Sequence, residues 1–313
     1  MNEIEIELDS IDPQDFFTNE NLSSLRSHFP KLKIIQRGDL LKVLGEKKSL
    51  NDFNKKFKYL TNYYLEFNSL NPNVIDEIVF NDIMYNGNNK STLILHGVGG
   101  KPILAKTKNQ KILVDKLNKK HLVFAIGPAG TGKTYTGIAI AVKALKEKEI
   151  KKIILTRPAV EAGENLGYLP GDLKEKLDPY MQPLYDALRD MIPAIKLNKL
   201  LADKIIEIAP LAFMRGRTLD NAFVILDEAQ NTTPAQMKMF LTRMGMNAKF
   251  MVTGDPGQVD LPKNIFSGLK DALEILKNKN DIGIVRLDDK DVMRHPIVKK
   301  IIDSYNKNGT HKK

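Results

Sequence analysis

The chain has 313 residues, of which 42% are hydrophobic and 27% charged, as in ordinary globular proteins. It contains no cysteine, which excludes disulfides, thiolate metal sites and cysteine catalysis, and it has no apolar run long enough to span a bilayer. The net charge of +10 is compatible with a nucleic-acid partner, although a lysine-rich composition would produce it equally well. Because the acidic N-terminus lacks a signal-peptide pattern, we expect a cytoplasmic protein.

Residues 1–88 are predicted to form a small α+β domain. The pattern indicates a short helix over 22–29, two strands over 32–35 and 40–44, and two helices around 53–65 and 74–80. The longer helix is marked by apolar residues at helical spacing, namely Phe53, Phe57, Leu60, Tyr64 and Leu65. The polar run at 86–89 breaks this pattern and places the domain boundary at 88, and residues 90–105 are expected to form an extended connector.

Residues 89–313 are predicted to form an α/β domain. Apolar runs without clean alternation are typical of parallel strands buried on both faces, and they occur at 122–127, 152–156, 205–209, 222–227, 249–253 and 282–287. Helical patterns lie between the strands, at 133–147, 172–191, 234–244 and 265–277. This alternation favours a parallel sheet flanked by helices.

A phosphate-binding loop follows the first of these strands. It consists of Gly127, Pro128, Ala129, Gly130, Thr131, Gly132, Lys133 and Thr134, and fits the pattern of a glycine, four free positions and Gly-Lys-Ser/Thr. Its backbone N–H groups and the N-terminus of the next helix would surround a polyphosphate. We expect Lys133 to reach the β- and γ-phosphates and the Thr134 hydroxyl to bind Mg²⁺.

Polar residues also stand at the ends of two later strands. Because the carboxyl ends of parallel strands open into the ligand crevice, Asp227 is placed to hold Mg²⁺ and Glu228 to activate water for hydrolysis. Asp255 and Gln258 follow the next strand and would sense the γ-phosphate or position the attacking water, although Asp-Pro-Gly is also an ordinary turn.

Five segments together resemble the PhoH-like family of P-loop ATPases, which is related to the superfamily 1 helicases. They are GPAGTGKT at 127–134, LTRPAVEAGENLGYLPGDL at 155–173, PLAFMRGRTLDNAFVILDEAQNTT at 210–233, TGDPGQVDLP at 253–262 and DVMRHPIV at 291–298. The resemblance covers residues 100 to 305 and implies a RecA-like P-loop NTPase fold that uses ATP and Mg²⁺. The N-terminal domain resembles the family's small KH-like RNA-binding domain, although it lacks a Gly-x-x-Gly clamp.

The resemblance implies further roles at the nucleotide. Gln110, ahead of the phosphate loop, would read the adenine edge with its amide and so favour ATP over GTP; the alternative is the exposed start of a helix. Arg294 matches the arginine finger that stabilises transition-state charge, the alternative being a surface arginine near a helix end. Together with Asp255 and Gln258 it would couple the state of the γ-phosphate to the shape of the protein.

Three more arginines are candidates for contact with a nucleic acid. Arg157 matches a nucleic-acid-side position of the family, and Arg215 and Arg217 would bind a phosphate backbone or cap a helix. We expect an ATPase that acts on RNA or another single-stranded nucleic acid, with a nucleotide-gated binding module and a small-molecule kinase as alternatives. Since helicases use two such cores and this chain offers one, a homo-oligomeric ring would bring each Arg294 to a neighbour's ATP.

Overall fold

The computed structural model of the chain describes residues 2–8, 11–67, 70–80, 93–158, 173–262 and 264–292. Contacts between Cα atoms divide the chain into two units, Met1–Lys106 and Thr107–Lys313. The division falls at Lys106 rather than at the expected residue 88, because the segment just before Lys106 packs with the first unit, where Leu104 is buried in the core.

The first unit contains α-helices and antiparallel strands. Its elements are β1 (Asn2–Glu7), α1 (Pro13–Phe16), α2 (Asn19–His28), β2 (Lys33–Arg37), β3 (Leu40–Gly45), α3 (Lys47–Phe67), α4 (Pro72–Phe80), β4 (Leu93–His96) and β5 (Pro102–Leu104). The first three strands form an antiparallel sheet in the order β1-β3-β2, and β4 pairs with β5. This hairpin replaces the expected extended connector, since strands of four and three residues are too short to show a period in the sequence.

One face of α3 supplies much of the core of the first unit. Phe53, Phe57, Leu60 and Tyr64 are buried on it, as their helical spacing predicts. The rings of Phe53 and Phe57 lie 5.3 Å apart, a separation typical of paired aromatic side chains. Leu65 was grouped with them but is 56% exposed, because it lies one position outside this face.

The second unit is a parallel sheet with helices on both faces. Its strands are β6 (Leu122–Ile126), β7 (Lys152–Arg157), β8 (Ile206–Pro210), β9 (Ala222–Leu226), β10 (Lys249–Gly254) and β11 (Ile282–Arg286), and its helices are α5 (Lys108–Lys119), α6 (Lys133–Lys146), α7 (Leu173–Met191), α8 (Ala194–Ala202), α9 (Pro234–Leu241) and α10 (Gly268–Leu276). The strand order is β11-β6-β10-β9-β7-β8, with every pair parallel. All six predicted strands and the four predicted helices are confirmed, whereas α5 and α8 were missed.

The two faces of the sheet are covered by different helices. A Cβ added at Gly137 of α6 would lie 2.3 Å from the sulfur of Met251, so this helix packs closely on the face to which Met251 belongs. Phe240 of α9 and Leu269 of α10 share a core with Phe250 on the opposite face. This packing fixes the carboxyl ends of β6, β9 and β10 side by side, where the predicted site residues lie. None of the helices in the described part of the chain has both the length and the apolar character needed to cross a bilayer.

Candidate active site

The phosphate loop joins β6 to α6, and its three glycines, of which two are tightly enclosed, all have positive φ values. Gly127 has a φ of +153°, and a Cβ there would lie 2.3 Å from the carbonyl oxygen of Leu287. Gly132 precedes α6 in the left-handed region, with a φ of +75°, and a Cβ there would lie 2.9 Å from the amide nitrogen of Gln110. The backbone of the loop thus packs directly against Leu287 and Gln110 at these two positions. The N-terminus of α6 faces the cavity.

Lys133 lies buried within the loop. Its ammonium group donates to the carbonyl oxygens of Gly127 at 2.7 Å and Pro128 at 2.8 Å, and the hydroxyl of Thr131 donates to the same Pro128 carbonyl. Burial lowers the pKa of Lys133 below its ordinary value of 10.5, although the nearby carboxylates oppose that shift. A polyphosphate in the cavity would stabilise this buried ammonium group by supplying negative charge next to it.

Asp227 joins the phosphate loop to the centre of the sheet. Its Oδ1 accepts hydrogen bonds from the hydroxyls of Thr134 and Thr253, both at 2.6 Å. Thr134 lies in the first turn of α6 and Thr253 is the second-last residue of β10, so side chains from three parts of the fold meet at this one oxygen. Hydroxyl and carboxylate oxygens are the ligands that Mg²⁺ takes when it is bound chiefly through substrate phosphates and water. The pair Thr134 and Asp227 therefore fits the expected metal site.

Glu228 adopts an unusual backbone conformation and has two partners. Its φ of 53° and ψ of 38° place a residue other than glycine in the left-handed region, as found at functional sites. Its Oε1 lies 3.2 Å from a guanidinium nitrogen of Arg157, and its Oε2 accepts a hydrogen bond from the amide of Gln230. Both carboxylate oxygens are thus engaged with protein groups.

Gln230 is a central residue of the site that the sequence analysis missed. It is 1% exposed, and its amide nitrogen donates to Glu228 while its amide oxygen accepts from the N–H of Asp255 at 3.0 Å. The side chain therefore bridges the acid after β9 and the segment after β10. Its place two residues after Glu228 was available as a signal, but only the structure shows that it turns back toward the strand ends.

Paired side chains hold the segment after β10 in place. The amide of Asn231 donates to the carboxylate of Asp260 at 3.0 Å and accepts from the backbone N–H of Asp260 at 2.8 Å. Asp255 accepts from the N–H of Gly257 at 2.9 Å, so the expected turn does form. Asp255 and Gln258 nevertheless reach the cavity, which makes the turn and the site compatible.

A cavity of about 220 Å³ brings together residues from three of the predicted motifs. It is lined by Ala129, Gly130, Gly132, Lys133, Thr134, Tyr135, Asp227, Glu228, Gly254, Asp255 and Gln258. The lining combines backbone N–H groups and a lysine with three acids, two hydroxyls and an amide. This set of groups suits a polyphosphate with a hard cation and a water molecule.

Gln110 lies against the phosphate loop and is not an exposed helix start. It is 3% exposed, its oxygen accepts from the N–H of Thr107 in a capping box, and its nitrogen donates to the carbonyl of Thr131 at 2.9 Å. An amide oxygen has two acceptor sites and an amide nitrogen two donors. The side chain of Gln110 therefore joins the cap of α5 to the phosphate loop, and its predicted contact with the adenine edge stays a prediction.

Asp291 was not singled out from the sequence, yet it anchors the start of the segment 291–298. It is 2% exposed, and its Oδ2 accepts from the amide of Asn109 and from the N–H of Asp288, both at 2.8 Å. Burial alone would raise the pKa of Asp291, but hydrogen bonds from Thr107, Asn109 and Asp288 outweigh it and hold the pKa below its ordinary value. Arg294 itself lies outside the described residues, as do most positions between 155 and 173.

The other predicted arginines differ in their surroundings. Arg157 is half-buried beside Glu228, whereas Arg215 is exposed. Arg217 forms two parallel hydrogen bonds with Glu207, of which Nη2 to Oε2 measures 2.8 Å. The guanidinium of Arg217 thus has a carboxylate partner, and its expected contact with a phosphate backbone or a helix end stays a prediction.

Known proteins resemble the chain over the region that contains this site. A family profile described as "PhoH-like protein" matches residues 102–306. The chain is 62% identical to the PhoH-like protein of Bacillus subtilis over 208 residues, which are 66% of this chain and 65% of that protein. It is 43% identical to the PhoH-like protein of Synechocystis over 290 residues, 91% of this chain and 88% of that one. The match thus spans slightly less than two thirds of the Bacillus relative.

The chain is also similar to a solved structure, at a lower sequence identity than to these relatives. The crystal structure of the Pif1 helicase from Candida albicans aligns with 64% of this chain and 43% of its own, at 15% identity and a TM-score of 0.36. A likeness of that size does not bear on function.

Proposed function

The chain belongs to the PhoH-like family, and we propose that it is a Mg²⁺-dependent ATPase that couples ATP hydrolysis to the binding of RNA or another single-stranded nucleic acid. The observation that carries the proposal is the meeting of Thr134, Asp227 and Thr253 at one carboxylate oxygen, with Lys133 and Glu228 on the same cavity. A phosphate loop, a metal-binding pair and a carboxylate for water are the parts that hydrolysis of a nucleoside triphosphate requires.

Each group has one task in this proposal. Lys133 and the N-terminus of α6 bind the β- and γ-phosphates, and Thr134 and Asp227 hold Mg²⁺, which when bound neutralises charge on the phosphates. Glu228 accepts the proton of the attacking water.

ATP is the nucleotide we favour. The other predicted residues would act at the base or at the γ-phosphate of this nucleotide. The amide of Gln110 packs against the phosphate loop, and we propose from the family resemblance that it reads the adenine edge when the nucleotide binds. Asp255 and Gln258 line the cavity where a γ-phosphate would lie. We propose further that copies of the chain assemble so that Arg294 of one reaches the nucleotide of the next, as an arginine finger does.

Two arginines and the overall charge support a nucleic-acid partner. Arg157 is half-buried and Arg215 is exposed. The chain as a whole carries a net charge of +10. Arginine suits phosphate because its planar fork binds two oxygens at once. Arg157 also contacts Glu228, so a phosphate that engages this arginine acts directly on the carboxylate that activates water.

A nucleotide-gated switch is the second candidate. Both carboxylate oxygens of Glu228 are engaged by Arg157 and Gln230, which leaves the base poorly placed to receive a proton. A protein that remained in this arrangement with ATP bound would hold the nucleotide without splitting it and would change only its affinity for a partner.

The deciding experiment is steady-state ATP hydrolysis, with and without single-stranded RNA, at two salt concentrations. We expect RNA to stimulate turnover, the stimulation to fade as salt rises, and Glu228→Gln to abolish turnover while leaving ATP binding intact. Glu274→Gln, at an exposed acid of α10, is the matched control and should hydrolyse ATP like the wild type. Turnover that survives Glu228→Gln contradicts the assigned base, and negligible turnover with every nucleic acid favours the switch.

A further inference from the structure

A second cavity, of about 590 Å³, lies along β8 and shares no lining residue with the nucleotide cavity. Its apolar lining includes Met181 and Tyr185 of α7, Leu201 of α8, and Phe213 in the short 3₁₀ turn Leu211–Met214. Volumes of this size are typical of sites for small organic groups. None of these four residues has a task in the proposed hydrolysis.

The rim of this cavity carries more positive than negative charge. Among its lining residues Lys152, Lys204 and Arg217 are cationic, and Glu207 is the one carboxylate. Because Arg217 hydrogen-bonds to that carboxylate through both terminal nitrogens, the surplus charge belongs to the two exposed lysines. Arg215, also exposed, follows the turn directly. A ligand with an anionic backbone is therefore favoured over a neutral one.

Phe213 presents an aromatic ring on a firmly held backbone. The first and last side chains of the turn, Leu211 and Met214, are 2% and 0% exposed, while Phe213 is 53% exposed. Among the large apolar side chains that are exposed in the described part of the chain, Phe213 is the one that lines this cavity. An exposed ring beside cations is the combination that binds single-stranded nucleic acids, because bases stack on the ring while phosphates meet the cations.

One end of the cavity lies next to Arg157 in the sheet, although Arg157 is not among its lining residues. Pro210 lines it and lies beside Arg157 in the parallel register of β7 and β8. Arg157 in turn contacts Glu228 at 3.2 Å. A strand bound in the cavity would thus have its next phosphates near the arginine that touches the predicted catalytic acid.

We infer that this cavity binds a base of a single-stranded nucleic acid, with Phe213 as the stacking platform and Lys152, Lys204 and Arg215 on the adjoining phosphates. The inference rests on the proposed nucleic-acid function and assigns it a place in the fold. It also explains why an exposed phenylalanine stands beside a surplus of positive charge that Glu207 does not balance.

The test is equilibrium binding of a fluorescently labelled oligouridine to the full chain, followed by fluorescence anisotropy over a range of salt concentrations. Phe213→Ala should weaken binding about ten-fold, the size expected for loss of one stacked base, with an unchanged slope of log affinity against log salt. Phe213→Trp should restore binding. Arg215→Ala should instead reduce the magnitude of the slope by about 0.7, the value for one phosphate contact on a single strand.

Two controls separate stacking from general damage. Met246→Ala removes another exposed apolar side chain, 76% exposed, and should bind like the wild type. A labelled strand of the same length without bases should bind the wild type and Phe213→Ala equally, since it has nothing to stack. Thermal unfolding and ATP binding of Phe213→Ala should match those of the wild type.

The other outcomes overturn the inference in distinguishable ways. Equal binding of oligouridine by wild type and Phe213→Ala removes the base site but leaves the proposed function in place. A free nucleoside monophosphate that binds as tightly as the strand, and depends equally on Phe213, would make this a site for a free nucleotide. A changed oligomeric state in Phe213→Ala without a change in RNA binding would make it a protein interface. Absence of any nucleic-acid binding by the wild type at low salt would remove the proposed function itself.

Discussion

The guanidinium of Arg157 lies 3.2 Å from the carboxylate of Glu228, so the end of β7 is tied to the acid that follows β9. Another guanidinium nitrogen donates to the backbone carbonyl of Tyr180 in α7 at 2.7 Å. The two paired side chains are 22% and 38% exposed, which leaves the pair open to an incoming phosphate. A ligand that takes Arg157 would free one oxygen of Glu228.

Replacement of Arg157 tests this coupling. We expect Arg157→Ala to raise ATP turnover in the absence of nucleic acid and to lose the stimulation by single-stranded RNA. A partly exposed ion pair is worth at most about 1 kcal/mol, so the rise should be no more than about five-fold. Steady-state turnover of the two proteins with and without RNA measures both effects.

The matched control is Arg189→Ala, which removes an exposed arginine paired with Asp186 at 3.1 Å and should leave both rates unchanged. A fall in the RNA-free rate of Arg157→Ala, with KM for ATP unaltered, would mean that the pair is part of the working arrangement of Glu228.

The hydrogen bond from Gln230 holds Glu228 in place, and a second carboxylate at this position tests it. Gln230→Glu keeps an acceptor for the N–H of Asp255 but replaces the donor to Glu228 by a second carboxylate. Because two carboxylates in contact do not both ionise readily, one pKa of the pair in this variant is raised, so we expect the acidic limb of the kcat profile to move to higher pH, with little change in KM for ATP. The measurement is kcat and KM as a function of pH.

Gln182→Glu provides the comparison, because Gln182 also donates its amide to a carboxylate, that of Asp186, but on the exposed surface of α7. Its profile should match the wild type. If the acidic limb of the kcat profile of Gln230→Glu lies at the same pH as that of the wild type, the residue at position 230 does not influence the group that titrates in catalysis.

Gln110 should influence nucleotide choice as well as helix capping. Gln110→Ala removes the donor that holds the Thr131 carbonyl and the amide that the family resemblance assigns to the adenine edge, so we expect KM for ATP to rise about ten-fold and the preference for ATP over GTP to shrink. Gln236→Ala removes the same kind of capping box from α9, so it should reproduce any loss of stability without changing nucleotide preference. An unchanged ratio of kcat/KM for ATP and GTP in Gln110→Ala would restrict this residue to a structural role.

Much of the second unit could be predicted because its strands are buried on both faces. An apolar run such as 222–226 is stable as a strand inside a sheet that is covered on both faces. Asp227 and Glu228 then lie at the carboxyl end of this strand, whatever the order of the strands in the sheet. The phosphate loop is similarly local, since Gly127 and Gly132 have their positive φ values within one short segment.

Side-chain partners could not be predicted in the same way, because they depend on which strands are neighbours. Arg157 meets Glu228 because β7 pairs with β9, with Thr156 opposite Leu226, although two helices and a strand separate them in sequence. Arg217 and Glu207 have no periodic signal that joins them. The hairpin of β4 and β5 was missed because each strand is shorter than one readable period.

The pair of Arg217 and Glu207 predicts a specific dependence of stability on pH. The hydrogen bonds from Arg217 lower the pKa of Glu207 below its ordinary value of 4.5, so the folded state favours the charged carboxylate. This contribution is fully present above pH 4.5 and is lost as the pH falls through the lower folded-state pKa. We expect Arg217→Gln to reduce the free energy of unfolding by about 1 kcal/mol at neutral pH, with the difference shrinking below pH 4.5. Urea titrations of wild type and variant at several pH values measure it.

A charge-neutral pair of substitutions separates a structural arginine from one that binds nucleic acid. Arg217→Gln alone would leave the Glu207 carboxylate unbalanced beside Lys152 and Lys204, so Glu207 is replaced with it. The double variant Arg217→Gln, Glu207→Gln should leave the salt dependence of RNA binding unchanged, in contrast to Arg215→Ala. Lys119→Gln, which breaks an exposed pair with Asp115, should alter neither stability nor salt dependence measurably.

Two outcomes would contradict these assignments. A smaller salt slope in the double variant would show that this guanidinium meets a phosphate despite its carboxylate. A stability difference of Arg217→Gln that persists at low pH would show that packing, rather than the ion pair, accounts for the loss.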